Sequence, residues 1–205
     1  MPRHRTPRQR WLTPPLWSLG SLAPVGLGAV AGLTGLAGLA PHAAVAATWA
    51  TADEAARRAF PTATAWQERL ITPAADEAAA LAAPGAAPRS TPLRVIEARQ
   101  GATVLGHVIV DAVIGKFELI DYAVALGADG RVVAVEVLSY RESHGAEVRL
   151  PAWRAQFNGK GPADTLRVGG DIANISGATL SCTHLTDGVR RLVGWSARLQ
   201  KAGRL

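Results

Sequence analysis

The sequence predicts an α+β fold: an antiparallel sheet of about four to six strands with helices packed on it, including a C-terminal helix. Two observations predict this fold, a series of β-rich segments with short connections and an apolar helical face near the end of the chain. Four segments have the length and the β-branched content of strands, namely 93–98, 104–113, 119–126 and 132–138. Consecutive strands with short turns pair in antiparallel fashion.

The turns between these segments support the same arrangement. Gly101 separates the first two segments, and the run Gly127-Ala128-Asp129-Gly130 separates the last two. Asp and Gly tolerate the positive φ angles that tight hairpins need. In the fourth segment Val133, Val135 and Val137 alternate with other residues, which predicts that these valines share one buried face.

Helical spacing follows the predicted sheet. Residues 180–199 place Leu185, Val189 and Leu192 on one side of a helix, and Gly188 within it suggests close packing on the sheet or on a ligand. Residues 147–157 also have helical spacing, with Pro151 in the first turn or at the start.

The segment before the sheet is rich in alanine, and we interpret 47–90 as a helical spacer. Helices are predicted at 53–60 and 76–83, and Pro84-Gly85 ends the second. Trp49, Phe60 and Trp66 are expected to pack this segment on the following domain. The alternative is a loosely structured linker, which repeated alanine also fits.

The N-terminus has the pattern of an export signal. Four arginines in the first ten residues precede the uncharged apolar stretch 19–40, and Ala44-Val45-Ala46 offers a small-residue cleavage site. We therefore interpret 1–46 as a signal peptide, with an uncleaved N-terminal anchor as the alternative. Either interpretation places the remaining domain, 91–205, in the periplasm or another extracytoplasmic compartment.

The positive net charge of the chain is concentrated in this leader. The formal net charge is +6, but without the four leader arginines 18 basic and 16 acidic residues remain. A net charge of +2 on the remaining chain argues against nucleic acid as a partner.

The sequence lacks the residue patterns that several common kinds of metal and catalytic site require. His107, His144 and His184 are far apart and have no Cys or carboxylate partners at metal-ligand spacing, so no metal site is predicted. Ser176 does not lie in the Gly-x-Ser-x-Gly pattern of hydrolases. Cys182, the single cysteine, is expected to be a small core residue.

The most informative run is Ser176-Gly177-Ala178-Thr179-Leu180-Ser181, which lies where the C-terminal helix is predicted to begin. One interpretation is a helix cap, in which Thr179 or Ser181 accepts backbone N–H bonds. The other is a phosphate site, because a helix start presents unpaired N–H groups and the positive end of the helix dipole.

Three blocks of this sequence resemble the FMN-binding domain family, which occurs in the sodium-translocating NADH:quinone reductase and in the Rnf electron-transport complex. The run 176–181 is similar to the family's Ser-Gly-Ala-Thr-x-Ser/Thr motif. Glu142-Ser143-His144-Gly145 resembles its Glu-Thr-Pro-Gly turn, and the run 156–160, Gln-Phe-Asn-Gly-Lys, resembles its Gln-Phe-x-Gly-Lys. The resemblance covers about residues 94–195.

The resemblance implies FMN as the cofactor, joined through its phosphate to Thr179 by a flavin transferase. It implies an electron carrier that meets a membrane or periplasmic redox partner, rather than a stand-alone enzyme. The alternative is an exported domain that binds FMN or another ligand without a covalent bond, or an accessory structural domain without redox activity. The cofactor-binding residues expected on this basis are Thr179, Ser176, Gly177, Ala178, Ser181, Glu142, Trp153 and Lys160.

Three of these residues, Glu142, Trp153 and Lys160, are expected near the flavin ring or its ribityl chain. Their alternative roles are a solvated charge at a strand end for Glu142, a core aromatic for Trp153 and a surface lysine for Lys160. The sequence also departs from the family at two positions: Ala173 replaces the usual Asp three residues before Ser176, and His144 replaces a common Pro.

Overall fold

The computed structural model describes residues 47–48, 50–82 and 92–205, and the predicted export segment 1–46 lies outside them. The described residues all belong to one compact unit, His42–Leu205. None of the helices in this described part of the chain is long and apolar enough to cross a membrane.

The sheet has six antiparallel strands in the order β1-β6-β5-β4-β3-β2. The strands are β1 Ala47–Thr48, β2 Ala65–Ile71, β3 Leu93–Gln100, β4 Thr103–Ile114, β5 Leu119–Gly127 and β6 Val132–Tyr140. The four predicted strands are therefore all present, and the predicted fold class is confirmed. The hairpin predicted at 127–130 joins β5 to β6, with φ +76° at Gly130.

Four α-helices accompany the sheet: α1 Ala52–Ala59, α2 Ala75–Leu81, α3 Pro151–Arg154 and α4 Thr179–Lys201. Short 3-10 turns, Ala146–Arg149 and Ala155–Phe157, flank α3. The predicted helix over 147–157 is thus three short pieces, because Pro151 has no N–H to continue a helix from the preceding turn. The predicted C-terminal helix is confirmed as α4.

Both faces of the sheet are covered. One face carries the larger core, where Leu185, Val189 and Leu192 of α4 pack with Val95, Ile109 and other strand residues. The other face carries a smaller core, in which alanines of α1 and Phe60 pack on Ile96 and Val108. The sheet is therefore the middle layer of the domain.

The segment 47–90 contains more than the expected helices. The helices at 53–60 and 76–83 are present within a residue or two, but Ala65–Ile71 is a strand that pairs with β3 along its whole length. Phe60 is buried and Trp66 is partly buried against the smaller core, as expected, while Trp49 lies outside the described residues. The division of the chain at residue 90 stays a prediction.

The expected common face of three valines in β6 is wrong for Val133. Val135 and Val137 are buried, whereas Val133 is 38% exposed. The pairing with β5 shifts between Ala125 and Leu126, from Ala134 to Val132, so that Val133 has no opposite residue. A β-bulge adds one residue and reverses the alternation beyond it.

Candidate functional site

A cleft lies at the end of the sheet where β4, β5 and β6 meet the start of α4. It has a volume of about 340 Å³, which is in the range of small-molecule sites. Three segments line it: the turn after β4 (Lys116 and Phe117), the loop after β6 (Glu142, Ser143 and His144) and the run 177–181. The resemblance blocks 142–145 and 176–181 are therefore neighbours in space.

Glu142 holds the turn between β4 and β5. Its Oε1 accepts the backbone N–H groups of Lys116, Phe117 (2.6 Å) and Glu118 (2.9 Å). Burial raises the pKa of Glu142, but these three hydrogen bonds together with the charge of Lys116 outweigh burial, and the pKa is lowered below its usual value. The carboxylate is thus ionised and serves as an anchor for the cleft wall rather than as a solvated charge.

Tyr140 joins the loop after β6 to the helix α4. Its hydroxyl donates to the carbonyl of His144 and lies 3.2 Å from Ser181 Oγ. Since the phenol proton goes to a carbonyl, the Ser181 hydroxyl is the donor in the second contact. Burial raises the pKa of Tyr140, which keeps the phenol protonated at neutral pH.

His184 fixes the first turns of α4 against the end of β4. Its Nδ1 lies 2.6 Å from the carbonyl oxygen of Ile114 and 3.0 Å from that of Gly115. Because both partners are acceptors, Nδ1 carries the proton and donates. All three segments of the cleft are therefore tied together by side-chain hydrogen bonds.

The start of α4 has no side-chain cap within the described part of the chain. Its N-cap residue is Ala178, which has no side-chain oxygen, and Thr179 is the first helical residue. The cap interpretation of Thr179 and Ser181 is therefore wrong. The first backbone hydrogen bond of the helix runs from Cys182 N–H to Ala178 O at 2.9 Å. The N–H groups of 179–181 are therefore the orphan donors of this helix.

Thr179 is one of the residues that line the cleft. The residue is exposed, and its Oγ1 accepts a hydrogen bond from Asn174 Nδ2 at 3.2 Å. Gly177 before it has φ +81°, and a Cβ there would have open space around it. The hydroxyl of an exposed residue, orphan N–H groups, the positive helix end and Lys116 in the same cleft form a set of groups that fits a phosphate ester.

Three predicted site residues lie outside the cleft lining: Trp153, Lys160 and Ser176. Trp153 is buried edge-to-face on Phe157, with ring centroids 5.3 Å apart, and its Nε1 donates to Ala173 O at 2.8 Å. Lys160 pairs with Asp171 at 3.0 Å. Both side chains hold the loop that leads to Ser176, so they position the motif from behind.

Gln156 completes this support of the loop. Its Oε1 accepts Ala173 N–H at 2.8 Å, and its Nε2 donates to Trp153 O at 2.9 Å. The block 156–160 therefore contacts the chain three and five residues before Ser176, at Ala173 and Asp171. Ser176 itself is exposed just before the cleft lining.

Several cleft residues lie outside the motifs of the sequence. Phe117 is 76% exposed and has Lys116 Nζ 4.9 Å from its ring centroid, and Leu180 on the helix side is 44% exposed. An aromatic residue in a short turn between two strands is a signal that could have indicated Phe117. The roles of Tyr140 and Asn174 depend on contacts that the folded chain creates, and the sequence carries no such signal for them.

The fold and the cleft define a class: an α+β domain with a small-molecule cleft that is lined by an uncapped helix start and an exposed threonine. Residues 115–194 match the family model of the FMN-binding domain. The predicted resemblance is thus confirmed, and the match indicates FMN as the cofactor.

The fold has a known counterpart. The crystal structure of Shewanella oneidensis NqrC superposes with a TM-score of 0.51 at 19% sequence identity, covering 71% of this chain and 88% of that chain. At this identity the likeness shows the fold alone. No curated protein sequence matches the chain.

Proposed function

We propose that this chain is an exported flavoprotein in which FMN is joined through its phosphate to Thr179, and that it acts as an electron-transfer relay. The observation that carries the proposal is the position of Thr179. Thr179 is an exposed residue that lines the cleft at an uncapped helix start, within the segment that matches the FMN-binding domain.

Different residues of the cleft would bind different parts of the cofactor. The orphan N–H groups of 179–181 would bind the phosphate oxygens, and Lys116 would add a positive charge beside them. Phe117 and Leu180 offer exposed apolar surface suited to the flavin ring. FMN would supply the redox chemistry, and the protein would set its position and surroundings.

Attachment requires a second protein, a flavin transferase that uses FAD and a magnesium ion. In this step the Thr179 Oγ–P bond forms, the P–O–P bond of FAD breaks, AMP leaves and the hydroxyl proton is released. Asn174 Nδ2 donates to the same oxygen, so the Thr179 proton is directed away from Asn174. This orientation favours the proposed role of Thr179 as the acceptor.

Export and partners form the rest of the proposal. The basic leader, the apolar stretch and the small-residue site of 1–46 support export. The resemblance supports a membrane or periplasmic redox complex as the partner. The low net charge of the chain after the leader gives no support for a nucleic-acid role.

A pair of variants tests the attachment. With a flavin transferase co-expressed, the wild type is expected to remain yellow after acid precipitation and denaturation. Thr179→Val is expected to lose this colour and keep its fold, as measured by circular dichroism, because valine has nearly the same shape and no hydroxyl. Thr179→Ser restores a hydroxyl and is the matched control, expected to retain bound flavin.

The other outcomes identify the alternatives. Flavin that leaves the wild type on acid precipitation would indicate non-covalent binding. A folded wild type without any flavin would indicate an accessory structural domain. Retention of the flavin by Thr179→Val would show that the ester is elsewhere.

A further inference from the structure

Arg191 carries a buried charge that nothing in the described part of the chain neutralises directly. It lies on α4 with only 8% of its surface exposed, and among the described residues none of its three guanidinium nitrogens has a hydrogen-bond partner. An arginine presents five N–H donors and cannot lose its charge in proteins. Buried arginines normally pair with an anion, because an uncompensated buried charge is strongly unfavourable.

A cavity of about 210 Å³ lies beside Arg191, between α2 and α4. Arg191, Gly194, Trp195 and Arg198 line the cavity from one side of α4, because residues three and four positions apart share a helix face. Leu81 at the end of α2 contributes an apolar wall. The arginine is therefore placed at a space that can admit a small molecule.

The carboxylate in this cavity is already engaged. Glu77 Oε2 accepts Trp195 Nε1 at 3.2 Å and Ala74 N–H at 2.9 Å, while its Oε1 pairs with Arg204 at 2.5 Å. A second lining arginine, Arg190, pairs with Asp187 at 2.7 Å. Within the described residues, the cavity therefore has positive charge that its own carboxylate does not neutralise.

We propose that this cavity binds a small oxyanion, a carboxylate or phosphate group, which Arg191 holds through its planar fork of N–H donors. Arg198 adds a second charge at the exposed side, and Leu81 faces the apolar part of an organic anion. Gly194 in the cavity wall lies about 22 Å along α4 from Thr179, from the helical rise per residue. The site is thus separate from the flavin cleft and does not depend on flavin attachment.

Thermal unfolding of the full-length chain tests the proposal. Inorganic phosphate and sodium butyrate are titrated separately, each against sodium chloride at equal ionic strength. We expect a saturable rise in Tm with at least one of them, about 3 °C at ten times its dissociation constant. The responding anion distinguishes a phosphate from a carboxylate ligand. No saturable rise with either anion would overturn the proposal.

Arg191→Met separates a binding arginine from a structural one. The variant is expected to lose the anion response and to unfold, without anion, at the same Tm as the wild type or higher, because it removes an unpaired buried charge. Lys201→Met removes one charge from the exposed end of the same helix and should keep the full response. A lower Tm for Arg191→Met without anion would indicate a structural arginine and contradict the proposal.

Gly194→Leu gives a second, independent test. A Cβ at Gly194 would meet nothing within 4 Å, so the leucine side chain is expected to enter the cavity while Arg191 stays in place. The variant should fold and lose the response. A response that survives in both Gly194→Leu and Arg191→Met would place the anion elsewhere, including the start of α4. Since these measurements need no flavin, a failure of flavin attachment would leave their outcome unchanged.

Discussion

Ala173 is the residue that most sharply separates this chain from the sequence pattern of the FMN-binding domain family that it resembles. Its backbone is held at both ends, by Gln156 Oε1 and by Trp153 Nε1, but its side chain is exposed. A larger side chain there meets solvent. The position can therefore vary in side chain while the backbone before the motif stays fixed.

Ala173→Asp is accordingly expected to leave stability unchanged within about 0.5 kcal/mol, as for other exposed substitutions. By restoring the family pattern it is expected to increase the fraction of chains that a flavin transferase modifies in a fixed time. Intact mass spectrometry of partial reactions measures this fraction. An equal or smaller fraction than in the wild type would show that the flavin transferase recognises the loop without this carboxylate.

Gly145 and Gly177 are two cleft glycines with left-handed backbones, φ +85° and +81°. A Cβ at Gly145 would lie 2.6 Å from Ala178 Cβ and 2.7 Å from Tyr140 Oη, whereas one at Gly177 would meet open space. Gly145→Ala is thus expected to lower the free energy of unfolding by about 3 kcal/mol, and Gly177→Ala by about 1 kcal/mol. Urea denaturation compares the two. Equal losses would show that packing between the loop and α4 does not contribute.

At the scale of elements, the loop 161–178 depends on Asp171. Its carboxylate accepts the N–H groups of Arg167 (2.8 Å) and Leu166 (3.1 Å) and pairs with Lys160 at 3.0 Å. The Arg167 bond is the largest cause of a lowered pKa, about 2 instead of 3.8, against a smaller opposing effect of burial. A lowered pKa in the folded state stabilises the protein above the unfolded value, and this stabilisation is lost as the pH falls from about 4 to about 2.

Asp171→Asn is therefore expected to lower the free energy of unfolding by about 2 kcal/mol at neutral pH. The difference from the wild type should shrink as the pH approaches 2. Urea denaturation across this pH range measures it. Asp164→Asn is the control, since Asp164 is 40% exposed and accepts one backbone N–H. A difference for Asp171→Asn that does not change with pH would contradict the assigned role.

The strands and helices differ in how far the sequence predicts them. The four central strands are predictable because they are buried on both faces and therefore have strong β-branched patterns. The strand β2 is not, because it lies at the sheet edge and has no buried residue. Gln67, Glu68 and the apolar Leu70 are exposed, while Trp66 and Ile71 are only partly buried. The assignment of β2 depends on pairing with β3, which local pattern does not encode.

At the scale of the whole molecule, α4 connects the cleft at its first turn to the core. Gly188 allows its close approach to the sheet: a Cβ there would clash with Tyr122 Oη and lie 3.0 Å from Val113. The Tyr122 hydroxyl donates to Asp111 at 2.9 Å, and this bond holds it in place. The close packing that the sequence suggests for Gly188 is confirmed.

Gly188→Ala is expected to lower the free energy of unfolding by about 2 kcal/mol, because overpacking outweighs the better helix propensity of alanine. Gly194→Ala on the same helix has open space and is expected to raise it by up to about 1 kcal/mol. Denaturant titration of the two variants gives the comparison. Stabilisation by both would mean that α4 packs less closely than the structure shows.

The residues of the site also differ in how far the sequence predicts them. The motif around Thr179 is predictable because its residues are consecutive and their meaning is local. Trp153 and Lys160 hold the loop before Ser176 through Ala173 and Asp171, which are contacts that only the folded chain creates. Their place near a flavin ring or its ribityl chain stays a prediction. The cavity at Arg191 has no sequence signal, because its burial results from the packing of α2 on α4.

The intact mass of the protein, purified after co-expression with a flavin transferase, tests the central claim most directly. We predict a mass increase equal to FMN minus one water, located by peptide fragmentation on Thr179. The same spectrum shows whether the chain has been cleaved after Ala46. An unmodified mass, or the same increase on another residue, would contradict the claim that Thr179 carries the flavin.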